Sequence, residues 1–309
     1  MSTNNASEWL HSQRTCVAGK SKQISRPAKA PATPTFIPSS TLRAKSIAIA
    51  SGKGGVGKTS MALKLARALG ESGKKTLCID FDYNLSNTAL KLGLRPSFGL
   101  YDYLTGEIDL SSLVLSTPYF DLLPGHHGHE KIVFSDEKVE GKIIDLLVEC
   151  EQRYDCILID CPAGVGREVL SLCAYADKRL LVVNPDISSI TDSYSMIKLL
   201  KNIHGIDHNC VLLNRIKDEI QYCRIVKSLG ETVERFLSGR LEFVGHIRDY
   251  GVDPESFDRQ FFSEEKNDQR KFLSIVSKLT EEGVDVSRDV HTALRPEIRS
   301  ADNVQHRLS

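Results

Sequence analysis

The residues best placed to do chemistry in this 309-residue chain are Gly52-Lys53-Gly54-Gly55-Val56-Gly57-Lys58-Thr59. Their spacing is G-x-x-x-x-G-K-[ST], a pattern that phosphate binding explains residue by residue. Glycines let backbone N–H groups turn inward around an anion, where side chains would block the approach. The run 45–51 (KSIAIAS) ahead of the loop reads as a strand, and 58–72 behind it has helical periodicity. A helix that opens at such a loop adds its free N-terminal amides and its dipole to the anion site. Lys58 then reaches the β- and γ-phosphates, the Thr59 hydroxyl binds Mg, and Ser60 belongs to the same nucleotide-binding turn.

Lys53 is an extra cation inside the loop. At KGGVGKT, residues 53–59, the sequence resembles the deviant Walker-A loop of the MinD/ParA superfamily. The resemblance implies an ATPase in which Lys53 reaches across a dimer interface to the partner's nucleotide. There it would act like an arginine finger, a cation supplied in trans to the charge growing on the γ-phosphate. Asp80-Phe81-Asp82-Tyr83-Asn84-Leu85-Ser86-Asn87 is similar to the family's D-x-D switch I segment, with Asn84 where a glycine is common. By that similarity Asp82 orients the attacking water and Asp80 supports the Mg shell. Asp160-Cys161-Pro162-Ala163-Gly164-Val165 resembles switch II, D-x-P-A-G. It implies that Asp160 holds a Mg-bound water and that the Gly164 amide senses the γ-phosphate. Asn214-Arg215 resembles the pair that recognises adenine. Taken without the family, Asp80 and Asp82 could equally cap a strand end, and Asn214-Arg215 could be a solvated loop. The likeness covers roughly residues 45–281.

Within the superfamily, 185–194 (PDISSITDSY) resembles a segment of the MinD-like ATPases that regulate flagellar number and placement, the FlhG/FleN group. Residues 99–107 (GLYDYLTGE) are similar to theirs as well. That group implies an ATP-dependent homodimer with slow, partner-stimulated hydrolysis, working in flagellar or other polar positioning. Two departures stand out. The end of the chain, 283–309, reads as a polar tail and not as the amphipathic membrane helix common in the group. The start, Asn5-Ala6-Ser7-Glu8-Trp9-Leu10, is a distant echo of the motif with which the group stimulates a GTPase of the signal-recognition type. Trp9 is the sole tryptophan, so 4–14 is expected to be a short helix that docks on such a GTPase or another polarity protein. Deleting 1–20 without change in partner binding or ATPase stimulation would sink that idea.

The elements that must position these residues follow from hydrophobic patterning. Strand-like runs occur at 45–51, 75–80, 120–124, 155–160, 178–184, 209–214 and 242–247, and their continuous apolar character predicts burial on both faces. Helical patterns lie between them at 58–72, 139–153, 188–203, 219–238 and 268–281. Alternation of this kind predicts an α/β fold, a doubly wound, mainly parallel sheet with helices on both faces, of the P-loop NTPase type. Met61, Leu65, Ala68 and Leu69 form the apolar stripe of the first helix, and Gly73 is expected to stop it.

Residues 1–44 form a basic arm rich in Pro and Ser, with one acid, Glu8, and too little apolar surface to offset its ordering entropy. The domain is expected over 45–282 and the tail over 283–309. Cys78, Cys156, Cys161 and Cys210 fall in or beside apolar runs, so buried, reduced thiols are expected. His126, His127 and His129 read as an exposed loop. The chain carries no net charge, and no run is long enough to span a membrane. A cytoplasmic location is expected, with a peripheral position at the inner membrane or cell pole compatible with it. The competing reading is a ParA-like ATPase whose dimer coats nucleoid DNA. It needs a basic patch, yet outside the arm the chain is net acidic, and loss of retention on DNA at low salt would exclude it. Iron–sulfur carriers are set aside for want of a CxxC pair. Tyrosine kinases on this scaffold are set aside because 251–309 has no tyrosine.

Overall fold

A computed structural model of the chain describes residues 43–82, 88–125, 137–251, Ser256, Asp258 and 266–280. The Trp9 segment, Tyr83 to Asn87, the histidine run and the polar tail lie outside the described residues.

The predicted architecture is present. Each strand leads to the next through a helix or a short helical turn, except that β3 turns directly into β4. The series begins β1 (Lys45–Ala50), α1 (Lys58–Glu71), β2 (Thr76–Asp80), α2 (Thr88–Lys91), α3 (Leu100–Thr105) and α4 (Leu110–Leu113). It continues through β3 (Leu115–Ser116), β4 (Asp121–Leu123), α5 (Glu137–Glu151), β5 (Cys156–Asp160) and α6 (Arg167–Tyr175). It closes with β6 (Lys178–Val183), α7 (Ile187–His204), β7 (His208–Ile216), α8 (Glu219–Leu237), β8 (Arg240–Arg248) and α9 (Lys266–Thr280). The sheet order is β3-β4-β2-β5-β1-β6-β7-β8. All pairings are parallel except β3 with β4.

Two apolar layers flank the sheet. Helices α1 and α9 cover one face with Met61, Leu65, Leu69, Phe272 and Ile275, while α3 to α8 supply residues such as Leu104, Leu147, Met196, Leu200 and Leu229 to the other. The central strands β2 and β5 are buried throughout, which is why they read as unbroken apolar runs and not as alternating ones. Helix α1 ends as its sequence predicts: Gly73 adopts φ 85° and its N–H donates to the Gly70 carbonyl. The short helices α2, α3 and α4, the helix α6 and the two-residue β3 were not read from the sequence. All but α6 are shorter than two turns, too short for periodicity to register. Arg43 and Ala44 also belong with the domain's contacts: the Arg43 guanidinium pairs with Asp177 and Glu151, and Ala44 is buried.

Among the described cysteines, six are buried and only Cys223 is exposed. Burial pushes the Cys150 thiol up to about 12 and those of Cys156 and Cys210 up to about 11. A thiol held protonated is a poor nucleophile. In the native protein, a thiol reagent should therefore label Cys223 quickly and these six slowly. Peptide mapping that finds Cys161 or Cys173 labelled as fast as Cys223 would contradict that burial.

Candidate functional site: a phosphate loop between two aspartate-bearing strands

The site lies where β1, β2, β5, β6 and β7 end, the edge at which open parallel sheets bind ligands. Residues after β1 turn back into α1 through a loop whose shape depends on glycine. Gly55 has φ 73° and Gly57 φ 98°. A Cβ on Gly57 would stand 2.7 Å from Asn214 Nδ2, and one on Gly52 would stand 2.4 Å from the Asp192 backbone carbonyl. Ser51 Oγ donates to the Lys53 carbonyl at 2.7 Å, and Gly54 has Ala163 as its near neighbour. Val56 is buried beneath the loop.

The two loop lysines occupy different environments. Lys58, on the first turn of α1, is 7% exposed and faces the carboxylate of Asp160. Lys53 has a side chain 43% exposed and points outward, to Asp186 Oδ1 at 3.1 Å and Ser188 Oγ at 2.6 Å. Asp186 is also the N-cap of α7, accepting from the Ser189 N–H at 2.9 Å. The Ser188 hydroxyl, then the Ser189 amide and the Lys53 ammonium, hold its carboxyl down at about 2.

Across the loop stand the aspartates. Asp80 and Asp160 are partners in the β2–β5 register, and both are fully buried. Asp80 is occupied by protein groups: Oδ1 accepts the Asp82 N–H at 2.9 Å and Oδ2 accepts the Thr88 hydroxyl. Neither oxygen of Asp160 has a well-formed hydrogen bond. Burial and the neighbouring Asp80 raise its pKa to about 7, against the pull of Lys58 and the nearby Thr59 hydroxyl. A buried carboxylate with two orphaned oxygens beside a Thr hydroxyl is a donor set that suits a hydrated hard cation. Thr59 and Asp160 fit Mg; Asp80 fits the role of holding the loop behind them.

Gly164, Asn214 and Ser60 each meet a protein group. The Gly164 amide donates to the Ser51 carbonyl at 3.0 Å, with Gly164 at φ 101°. Asn214 is buried, and its Nδ2 donates to the Val56 carbonyl at 2.7 Å while its Oδ1 accepts the Arg215 amide. Asn214 thus clamps the phosphate loop to β7, and Arg215, at φ 58°, stands where the β7–β8 register shifts. Ser60, placed in the nucleotide-binding turn from sequence, gives its hydroxyl to Asp258 Oδ1 at 2.5 Å. Sequence reasoning did not find the partners Asp186, Ser188, Thr88 and Asp258. Asp186 carried a local signal, since D-x-x-S before an apolar helix is an N-cap pattern. The other three carried none.

A two-lysine phosphate loop, facing one aspartate at the end of β2 and another at the end of β5 on a parallel sheet, defines a deviant Walker-A ATPase, and the chain belongs to the MinD/ParA superfamily. The family model for the AAA domain matches residues 44–212. The chain is similar to the antiactivator FleN of Pseudomonas aeruginosa, 33% identical over 202 residues that cover 65% of this chain and 72% of that one. It is 28% identical over 211 residues to the septum site-determining protein MinD of Bacillus subtilis, covering 66% and 76% of the two chains. Among solved structures, the MinC:MinD cell division protein complex of Aquifex aeolicus matches with a TM-score of 0.60 at 29% identity, over 79% of this chain and 99% of that chain. MinD of Pyrococcus horikoshii, complexed with Mg-ADP, matches with a TM-score of 0.57 at 26% identity, over 77% and 96%. No helix among the described residues is long and apolar enough to cross a membrane.

Proposed function

We propose that this ATPase is an ATP-dependent dimerisation switch with slow, partner-stimulated hydrolysis, regulating flagellar number or placement or another polar positioning process. The observation that carries the reading is the outward position of Lys53, 43% exposed where Lys58 is 7% exposed. A lysine kept in the phosphate loop but aimed away from its own pocket is placed to serve a nucleotide on a second copy. Ile187, 84% exposed between the two residues that hold Lys53, puts apolar surface beside it, and Val165 is exposed just after Gly164. Such surface favours burial against another subunit. FleN and MinD, as relatives, support the positioning role.

In this reading the loop amides from Gly52 to Thr59 and the Lys58 ammonium hold the β- and γ-phosphates. Thr59 and Asp160, the latter backed by Asp80, would hold Mg. When bound, the ion neutralises charge on the phosphate oxygens. Asp82 accepts a hydrogen bond from the attacking water and orients it in line with the γ-phosphorus. Lys53 of the second copy leaves Asp186 and meets the charge developing on the γ-phosphate oxygens. The Gly164 amide exchanges the Ser51 carbonyl for the γ-phosphate, so switch II reads the presence of that group. Asn214 and Arg215 border the adenine. Because the chemistry is positioning plus electrostatics, turnover is slow until a partner completes the geometry.

Light scattering on a sizing column tests the switch, with Asp82→Ala used to slow turnover. A monomer with ADP and a dimer with ATP is the expected result; a monomer in both would overturn the reading. The cis contact gives a second test. Asp186→Asn keeps an N-cap but removes the charge that holds Lys53. It should strengthen ATP-dependent dimerisation, lowering the dimer Kd about threefold, in proportion to an exposed ion pair of under about 1 kcal/mol. An unchanged or weaker dimer would show that the pair does not compete with assembly.

A further inference from the structure

We propose that Asp258 is a positioning residue for hydrolysis, which fixes the Asp80–Asp82 loop against the phosphate loop through Ser60 and Lys91. The inference rests on the reading that this loop carries the water-orienting Asp82. Asp258 lies between β8 and α9, remote in sequence from both Ser60 and Lys91. Its Oδ1 accepts the Ser60 hydroxyl at 2.5 Å, and its Oδ2 pairs with the Lys91 ammonium. Lys91 Nζ also stands 3.4 Å from Ser60 Oγ. Ser60 is 4% exposed, and the Lys91 and Asp258 side chains are 25% and 19% exposed. The three polar groups therefore meet in a partly dry place, where an ion pair keeps more of its strength than on open surface.

Helix α2 explains why this contact matters. It has four residues, Thr88 to Lys91, a single turn that cannot be stable by itself. Its one fully buried apolar residue is Ala89, so much of its position depends on what holds its ends. At the first end, the Thr88 hydroxyl donates to Asp80 Oδ2, and Asp80 Oδ1 accepts the Asp82 amide. At the last end, Lys91 meets Asp258, which also holds Ser60. Ser60 follows directly on Lys58 and Thr59. The contacts thus form a continuous path from Asp82 through Asp80, Thr88, α2, Lys91 and Asp258 to Ser60 and the first turn of α1. Asp258 bridges the α2 side of the path to α1, beside the longer direct approach of Lys91 Nζ to Ser60 Oγ. Opening that bridge leaves Lys58 and the loop amides in place, since α1 is anchored by its buried stripe of Met61, Leu65 and Leu69. It frees the loop that carries Asp82. Turnover should suffer and nucleotide binding should not.

Steady-state hydrolysis of Mg-ATP by the full chain decides this, with unfolding temperature followed in parallel. Lys91→Met and Asp258→Asn are each expected to lower kcat about fivefold or more while KM stays within about twofold. Lys91→Arg keeps the ion pair and should restore kcat to near the wild-type value. The double variant should be no slower than the worse single, because both remove one interaction. The proposal is overturned if kcat is unchanged in both single variants, even where the unfolding temperature drops. It is equally overturned if the loss lies in KM alone, or if the two losses multiply. Asp82→Ala, run beside them, separates the two levels: hydrolysis that survives it removes the reading of the loop itself, whatever the Asp258 variants do.

Discussion

Mixing two inactive variants should restore hydrolysis. Lys53→Ala and Asp82→Ala are each expected to lose roughly 10³-fold in kcat, the scale on which a cation supplied in trans acts in phosphoryl transfer. Each variant lacks one part in both of its sites. In a mixed dimer, the site on the Lys53→Ala subunit keeps its own Asp82 and receives Lys53 from the other subunit. Random mixing makes half the dimers mixed with one working site of two, so about a quarter of wild-type activity should return. The structure motivates the experiment because Lys53 contacts Asp186 and Ser188, at the start of α7, and not the aspartates around its own phosphate pocket. A lysine acting on the nucleotide of its own chain would give no recovery, since every site in the mixture would stay broken. Lys58→Ala is the contrast. Buried beside Asp160, it serves its own site, so mixing that variant with Asp82→Ala, two lesions that each act within their own subunit, should recover nothing.

The second large effect is expected from one methyl group. Gly57→Ala should weaken ATP binding by more than about a hundredfold, read as the Kd of a fluorescent ATP analogue. Two costs combine. Gly57 sits at φ 98°, in a region that costs an L residue about 1–2 kcal/mol. Its added Cβ would also meet Asn214 Nδ2 at 2.7 Å, the atom that holds the Val56 carbonyl. Asn214 cannot simply move aside without releasing the loop. The neighbouring amides then no longer converge on the phosphates. Gly73→Ala is the control, with φ 85° but open space around the new methyl. It should lower the unfolding temperature by an amount fitting about 1 kcal/mol and leave ATP affinity unchanged. Equal nucleotide affinity in Gly57→Ala and the wild type would mean that the loop does not bind phosphate in this shape.

Much of the molecule is legible in its sequence because the strongest signals are local. A parallel sheet covered on both faces needs unbroken apolar strands such as 156–160, all five residues of which are buried. An amphipathic helix needs a stripe at 3.6-residue spacing, and α1 has it. The phosphate loop is contiguous by necessity, since an anion must be wrapped by successive amides of one turn. For the same reason the loop, β1 and α1 can be placed to within a residue or two from letters alone. Short elements gave no such signal: a single turn like α2 or a two-residue strand like β3 holds its shape through neighbours, not through its own pattern.

The sequence by itself determined the parallel α/β class, the phosphate loop with its second lysine, and the two aspartates at strand ends, because those features depend on residues near one another in the chain. Only the tertiary structure decided what each of them touches. That Lys53 rests on Asp186, that Asp160 is left without a well-formed hydrogen bond while Asp80 is satisfied by Thr88, and that Ser60 shares Asp258 with Lys91 are facts of packing. Ser60 and Asp258 lie 198 positions apart, and no periodicity links them. A contact of that kind exists because α1 and the chain beyond β8 are brought to the same edge of the sheet, and it carries no local mark that a sequence could display.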